Sequence, residues 1–403
     1  MYVTGTVYLG FTAIFEPIAD ELGWSYTQIS LAASLRGLEV GLLVPVAGLI
    51  MDRWGPKKLI FGGTFICGLG MLLLSEVHSL LVFYTAFIII SIGVSSTPTS
   101  LLMAAVSHWF RKNVGLAMGI TSAGVSIGGL LLPLITIIID SFGWRKAVLF
   151  MGLGMWAIPL PLSLFLRHKP EQYGYLPDGE THGSVEQKDQ YSENKEQTFD
   201  ATTKEALLSL VFWMIGIAYF CHVMATSAVI THIMPYLSSL NIERSTSSLI
   251  ASTLPLIGIT GRVGFGWLGD RVDKRNIGTL SLAMSGLGVF VLGYTTDERT
   301  WIIAAFIALF GIGWGGVVPM LSGLLIKYFG RKNLATIVGC IASIMMAGMV
   351  VGSPFAGWIF DKWGSYQPAW FILGGILMTE TVVFYFYLRF HPERGSLQKP
   401  ETY

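Results

Sequence analysis

The chain has 403 residues, of which 53% are hydrophobic and only 13% charged. A water-soluble domain uses about twice that share of charge to coat its surface, so a soluble globular fold is excluded. The formal net charge of +1 gives no field that would gather nucleic acid. Cys67, Cys221 and Cys340 all lie inside apolar runs without metal-ligand spacing, so no metal, no cofactor and no disulfide framework is expected.

Twelve stretches are long enough to cross a bilayer, which takes about 20 apolar residues. They are residues 2–19, 29–51, 58–75, 80–106, 114–139, 147–166, 206–237, 247–269, 277–294, 301–327, 334–359 and 368–388. With no water in the hydrocarbon, each must be a helix that satisfies its own backbone. Span 1 has no basic leader and no small-residue cleavage site, so it is read as a membrane helix and not as a signal peptide. Span 2 carries Arg36 and Glu39, three residues apart and therefore on one face. At that depth they form either an inert polar staple or part of a wet site, where the arginine holds an anion and the carboxylate exchanges a proton.

A charged turn follows, Asp52-Arg53-Trp54-Gly55-Pro56-Lys57-Lys58, and a second, Arg111-Lys112-Asn113, opens span 5. Span 4 contains Ser95-Ser96-Thr97-Pro98-Thr99-Ser100, a polar stretch that favours bending. From Arg167 to Glu205 the chain turns polar and nearly loses its apolar residues, the composition of a linker and not of a domain. Span 7 brings His222 and His232. Each reads either as a hydrogen-bonded core residue or as a group that relays a proton or donates to an anion. Span 8 holds Arg262, whose planar fork suits a carboxylate and equally suits an ion pair between helices. Asp270-Arg271 ends that span. Span 10 is rich in glycine around Pro319, Arg331-Lys332-Asn333 opens span 11, and Glu380 lies inside span 12.

The second half repeats the first. Asp52 to Asp270 is 218 residues and Asn113 to Asn333 is 220. Two similar halves with charged turns in matching places, embedded in a membrane, are the pattern of a transporter. With the Asp52 turn placed inside, the inner turns and the tail hold 13 Lys and Arg and the outer ones 5, which puts both termini in the cytoplasm. The expected organisation is residues 1–167, an N-terminal six-helix bundle; 168–205, a cytoplasmic central loop; 206–390, a C-terminal six-helix bundle; and 391–403, a cytoplasmic tail. The expected location is a plasma or inner membrane. Two turns of one kind, each closing the second helix of its half, read as a latch as well as a topogenic signal. Asp52, Arg53 and Arg111 belong to one copy, and Asp270, Arg271 and Arg331 to the other.

The pattern Gly48-x-x-x-Asp52-Arg53-x-Gly55-x-Lys57 resembles the loop between the second and third helices of the major facilitator superfamily. The second copy departs from it with Asp273 where the first has Gly55. That resemblance implies an all-α membrane protein of twelve transmembrane helices in two pseudo-symmetric six-helix bundles, and it places Glu380 on a peripheral helix. A narrower resemblance is to the monocarboxylate transporter family and its bacterial relatives. It rests on Phe15-Glu16-Pro17-Ile18-Ala19-Asp20-Glu21-Leu22-Gly23-Trp24-Ser25, Arg111-Lys112-Asn113-Val114-Gly115-Leu116-Ala117-Met118-Gly119, Pro170-Glu171-Gln172-Tyr173-Gly174, His232-Ile233-Met234-Pro235-Tyr236 and Gly261-Arg262. In that family the arginine of the eighth helix binds the substrate carboxylate, which by resemblance is Arg262. Animal-type members also have an aspartate one turn earlier, here Gly258, and a lysine in the first helix, absent here. Relatives have more apolar residues before the Gly23-Trp24 turn, so the native first helix is expected to begin upstream of Met1.

The expected activity is therefore secondary transport of a small organic anion, a monocarboxylate such as lactate, pyruvate or acetate, linked to a proton. Arg262, Arg36, Glu39 and His232 are the candidate substrate-binding residues, and a monomer suffices because one chain holds both halves. Two rivals stay open, proton-antiport export of drugs or other small molecules and exchange of another organic anion. An enzyme is not expected, since the chain has no His-Glu-x-x-His pattern, no paired cytosolic carboxylates and no phosphate-cradling glycine loop.

Overall fold

The structure is a computed structural model that describes residues 1–96, 106, 109–110, 114–166, 201–269, 271–296, 298–330 and 333–390. Every regular element among the described residues is helical. In chain order they are α1 (Gly10–Leu22, preceded by a π-helical turn Thr4–Leu9), α2 (Tyr26–Ser75), α3 (Leu80–Val94), α4 (Val114–Ile127) and α5 (Leu131–Phe142). Then come α6 (Trp144–Ala157), α7 (Pro159–Ser163), α8 (Thr203–Leu208), α9 (Leu210–Ser239) and α10 (Arg244–Gly269). The last four are α11 (Lys274–Leu292), α12 (Ile302–Phe329), α13 (Leu334–Trp363) and α14 (Gln367–Phe390). Predicted spans 7–12 are α9–α14.

Among the described residues eight helices are long and apolar enough to cross a membrane, and Ile302–Val317 with Pro319–Phe329, bent by 40°, makes a ninth. Those helices present apolar side chains outward as well as inward. Ile137, Val263, Trp267 and Phe386 are exposed, while Phe306, Trp370 and Phe384 are fully buried. Apolar surface on both sides is what lipid on one side and packed helices on the other require.

Turn chemistry fixes where helices break. Helix α2 is two limbs that meet at Gly55, whose φ of 78° and ψ of 165° suit no residue with a Cβ. Arg145 closes the far end of α2 by donating from Nη1 to the Ser75 carbonyl (3.0 Å) and from Nη2 to the Val77 carbonyl (2.7 Å). Helix α8 starts on a capping box in which Thr202 and Glu205 bond each other's backbone N–H. Ala201, just ahead of it, is tied to the end of α12 by its N–H on the Phe329 carbonyl (3.0 Å), and its own carbonyl accepts from Asn333 (2.8 Å).

Contacts divide the chain into two compact units, residues 1–18 with 38–196, and residues 19–37 with 197–403. In the second unit α9 packs on α13, α12 on both α10 and α11, and α11 on α14. Phe212, Ile215, Leu324, Leu325, Ile341 and Phe384 form a shared core of α9, α12, α13 and α14.

Candidate functional site

Arg262 sits about two-thirds of the way along α10, half-buried. It borders a seam where α10 and α12 meet backbone to backbone. A methyl group at Gly261 would strike the Ile312 carbonyl, one at Gly315 would strike the Gly258 carbonyl, and one at Gly311 would lie 2.9 Å from Ile257. Gly258, one turn before Arg262, has slightly more room. A Cβ there would meet the Gly311 carbonyl at 3.6 Å and the Trp314 ring at 3.8 Å. Glycine on both helices thus draws α12 against the arginine's own turn, and the guanidinium projects from a helix with no other charge between Arg244 and Gly269.

His232 is fully buried in α9. Its Nε2 lies 2.9 Å from the Ser353 carbonyl and 3.0 Å from Ser30 Oγ, and its Nδ1 lies 3.0 Å from the Tyr366 hydroxyl. A carbonyl only accepts, so Nε2 carries the hydrogen and Nδ1 accepts from Tyr366. The Ser30 hydroxyl donates to the Tyr26 carbonyl (2.6 Å), which leaves its lone pairs for the shared Nε2–H. His232 therefore links the first limb of α2 to α9, α13 and the start of α14.

The other predicted residues fall differently. Arg53 and Arg271 are exposed, and Arg271 stacks its guanidinium 3.8 Å over the Trp267 ring. The backbone of Arg36, Glu39 and Asp52 is helical, while their side chains lie outside the described residues, as do Arg111, Asp270 and Arg331 altogether. His222 is buried, with Nε2 at 3.3 Å from Thr226 Oγ1 and no hydrogen-bond partner at Nδ1 among the described residues. Glu380 is buried too, and neither carboxylate oxygen has a hydrogen-bond partner among them. No three His, Cys, Asp or Glu side chains cluster among the described residues as a metal site would need.

Two clusters escaped the sequence reading. Asp273 accepts from the Arg275 backbone N–H (2.9 Å), from Arg275 Nε and Nη2 (2.9 and 2.6 Å) and from Lys327 Nζ (2.8 Å). It caps α11 and ties it to the end of α12, and Arg275 Nη1 reaches on to the Leu388 carbonyl of α14 (3.3 Å). Partial burial pushes the Asp273 carboxyl up, but the bonds from Arg275 and Lys327 outweigh that and hold it well below the ordinary carboxylate range. The second cluster centres on Asp361, which accepts from the backbone N–H of Tyr26 (2.9 Å) and Thr27 (2.8 Å) and from the Thr27 hydroxyl (2.5 Å). A signal for it was present, since Gly357-Trp358-Ile359-Phe360-Asp361-Lys362-Trp363-Gly364 follows the same pattern as Gly48-Leu49-Ile50-Met51-Asp52-Arg53-Trp54-Gly55.

The Major Facilitator Superfamily family model matches residues 2–297 and again 215–402. The chain belongs to the major facilitator superfamily. Monocarboxylate transporter 12 of Xenopus laevis is 24% identical over 365 residues, covering 88% of this chain and 78% of the relative. Monocarboxylate transporter 13 of Bos taurus is 23% identical over 387 residues, covering 93% and 82%. Among solved structures the nucleoside transporter NupG superposes with a TM-score of 0.75 at 13% identity, over 96% of this chain and 98% of that one. That likeness shows the major facilitator fold, all-α with its helices in the membrane. The chain is a major facilitator transporter, not an enzyme.

Proposed function

We propose that this transporter carries a small organic anion, a monocarboxylate, by alternating access and together with a proton. The observation that carries the reading is Arg262, a half-buried guanidinium in the interior of a membrane-crossing helix, set beside a glycine seam. A charge at that depth costs at least about 2.5–3.5 kcal/mol and stays only where it has work. A guanidinium holds a carboxylate through two parallel bonds, and the curated relatives are named monocarboxylate transporters. Arg36 and Glu39 share a face of α2 and are the proposed partners in anion binding and proton exchange. His232, with both ring nitrogens bonded, positions the elements around the site and reaches substrate only when Ser30 or Tyr366 releases it. Asp52, Arg53 and Arg111 on one half, with Asp270, Arg271 and Arg331 on the other, are the proposed inner-side latches. Residues 1–167 and 206–390 are the two bundles joined by a cytoplasmic loop 168–205, with both termini in the cytoplasm.

The test is uptake of radiolabelled lactate, pyruvate and acetate into proteoliposomes, with and without an inward proton gradient. Saturable uptake that rises with the gradient is expected. Arg262→Ala removes a charge-assisted pair of about 2–3 kcal/mol and lowers uptake roughly 30- to 160-fold. Arg262→Lys keeps the charge, loses the fork and falls between. Undiminished uptake by Arg262→Ala would take the residue out of the site.

A further inference from the structure

We infer that Asp361 and the first turn of α2 form a releasable latch on the bilayer face away from the Asp52 turn. From Tyr26 to Arg53 the first limb of α2 rises about 40 Å, the full thickness of a bilayer, so its start and the Asp52 turn lie on opposite faces. Asp361 is at the end of α13, and its carboxylate supplements the Ser25–Gln28 capping box of α2 by taking the Tyr26 and Thr27 N–H groups that the box leaves over. Two first-turn N–H groups and one hydroxyl converge on it, at the positive end of the helix dipole.

Below the cap the two helices run antiparallel along a strip of small and hydroxyl residues. Gly357 faces Tyr26 and Ser30, and a Cβ on it would lie 2.7 Å from Ser30 Oγ and 2.8 Å from the Tyr26 carbonyl. Ser34 donates to the Val350 carbonyl (2.6 Å), and a Cβ on Gly37 would lie 3.2 Å from the Met349 and Val350 side chains. Beside the strip Tyr26 packs on Phe360 with ring centroids 4.3 Å apart, and Phe360 stacks on Tyr366 at 4.5 Å. Tyr366 holds His232, which holds Ser30.

Two features make this contact releasable. Asp361 is exposed, so water replaces the protein donors when the helices part. The strip is bonded by hydroxyls that can turn back to carbonyls of their own helix, as Ser30 already does, so parting strands no buried charge. Residues 19–37 pack in the unit of residues 197–403 but continue in the same helix into residues assigned to the other unit. An alternating-access transporter has to loosen helix contacts on one bilayer face at a time, and in that respect the latch rests on the transport reading. The Gly-x-x-x-Asp-Lys/Arg-Trp-Gly pattern of the Asp52 turn recurs at Asp361.

The test needs no substrate. Cys67, Cys221 and Cys340 are replaced by serine in the full-length chain, Ser34→Cys is introduced into the strip, and the reconstituted protein is treated with a membrane-impermeant maleimide from the face away from the Asp52 turn. Asp361→Asn loses the charge and one acceptor, and is expected to raise the labelling rate about tenfold, the shift that loss of an ordinary cap produces. Thr27→Val removes only the hydroxyl donor and gives a smaller rise in the same direction. Asp361→Asn and Thr27→Val both labelling at the parent rate would overturn the latch. Should Asp361→Asn fail to fold, an unchanged rate in Thr27→Val is enough to overturn it. A negative uptake result leaves this measurement untouched, so the two readings fail separately.

Discussion

Asp273 shows how far one residue departs from a repeat when it acquires its own work. The first copy of the turn has Gly55 at this position, with a φ open only to glycine, whereas Asp273 has a φ of −55° and caps α11. Its carboxylate, 28% exposed, faces Arg275 at 2.6 Å and Lys327 at 2.8 Å. Because the folded pKa is depressed, the stabilisation is complete above the unfolded value near 4 and is lost as pH falls toward the lower folded value. Asp273→Asn should cost about 1–2 kcal/mol at pH 7, measured by thermal unfolding in detergent. The gap between wild type and variant should shrink as pH drops below about 4. A gap that stays constant well below pH 4 would mean that shape, and not charge, is what the residue supplies. The sequence flagged the departure at Asp273 but not its partner, because Lys327 is on a different helix.

Among elements, hydropathy located α9 to α14 to within a few residues, since each needs its own long apolar run whatever it packs against. The short helix α8 went unread although Thr202-Thr203-Lys204-Glu205 spells a capping box, because the polar stretch before it dominated the reading. Which glycines seal an interface was not legible either, since position in the sequence does not say what lies opposite. Gly261 and Gly264 are three residues apart in α10, yet a Cβ at 261 strikes the Ile312 carbonyl and one at 264 meets nothing within 4 Å. Gly261→Ala should therefore force α10 from α12, cost about 1–3 kcal/mol and cut uptake by displacing the turn that carries Arg262. Gly264→Ala should change neither stability nor uptake by more than a small factor. Equal behaviour of the two variants in melting and uptake would show that the seam does not hold the arginine's turn in place.

At the scale of the whole molecule, the matching turns led to an expectation of two repeated halves but gave no sign that residues 19–37 pack with residues 197–403. Their partners include Val350, Gly357 and Asp361, more than three hundred residues downstream, and serine and glycine carry no hydropathic signature of what they touch. A chain cut between Glu196 and Gln197, inside the polar linker, leaves Tyr26, Ser30 and Ser34 on one fragment and their partners on the other. The cut also spares the bonds that fix Ala201 to Phe329 and Asn333. Co-expressed fragments should therefore copurify in mild detergent through a tag on residues 197–403. Ser34→Leu, which drives a branched side chain into the Val350 backbone, combined with Tyr26→Ala, which empties the ring contact with Phe360, should lower the recovered N-terminal fragment several-fold. Recovery unaffected by both substitutions would assign the association of the fragments to other contacts. It would also separate the fold's cohesion from the latch, because Asp361 would then regulate access without holding the chain together.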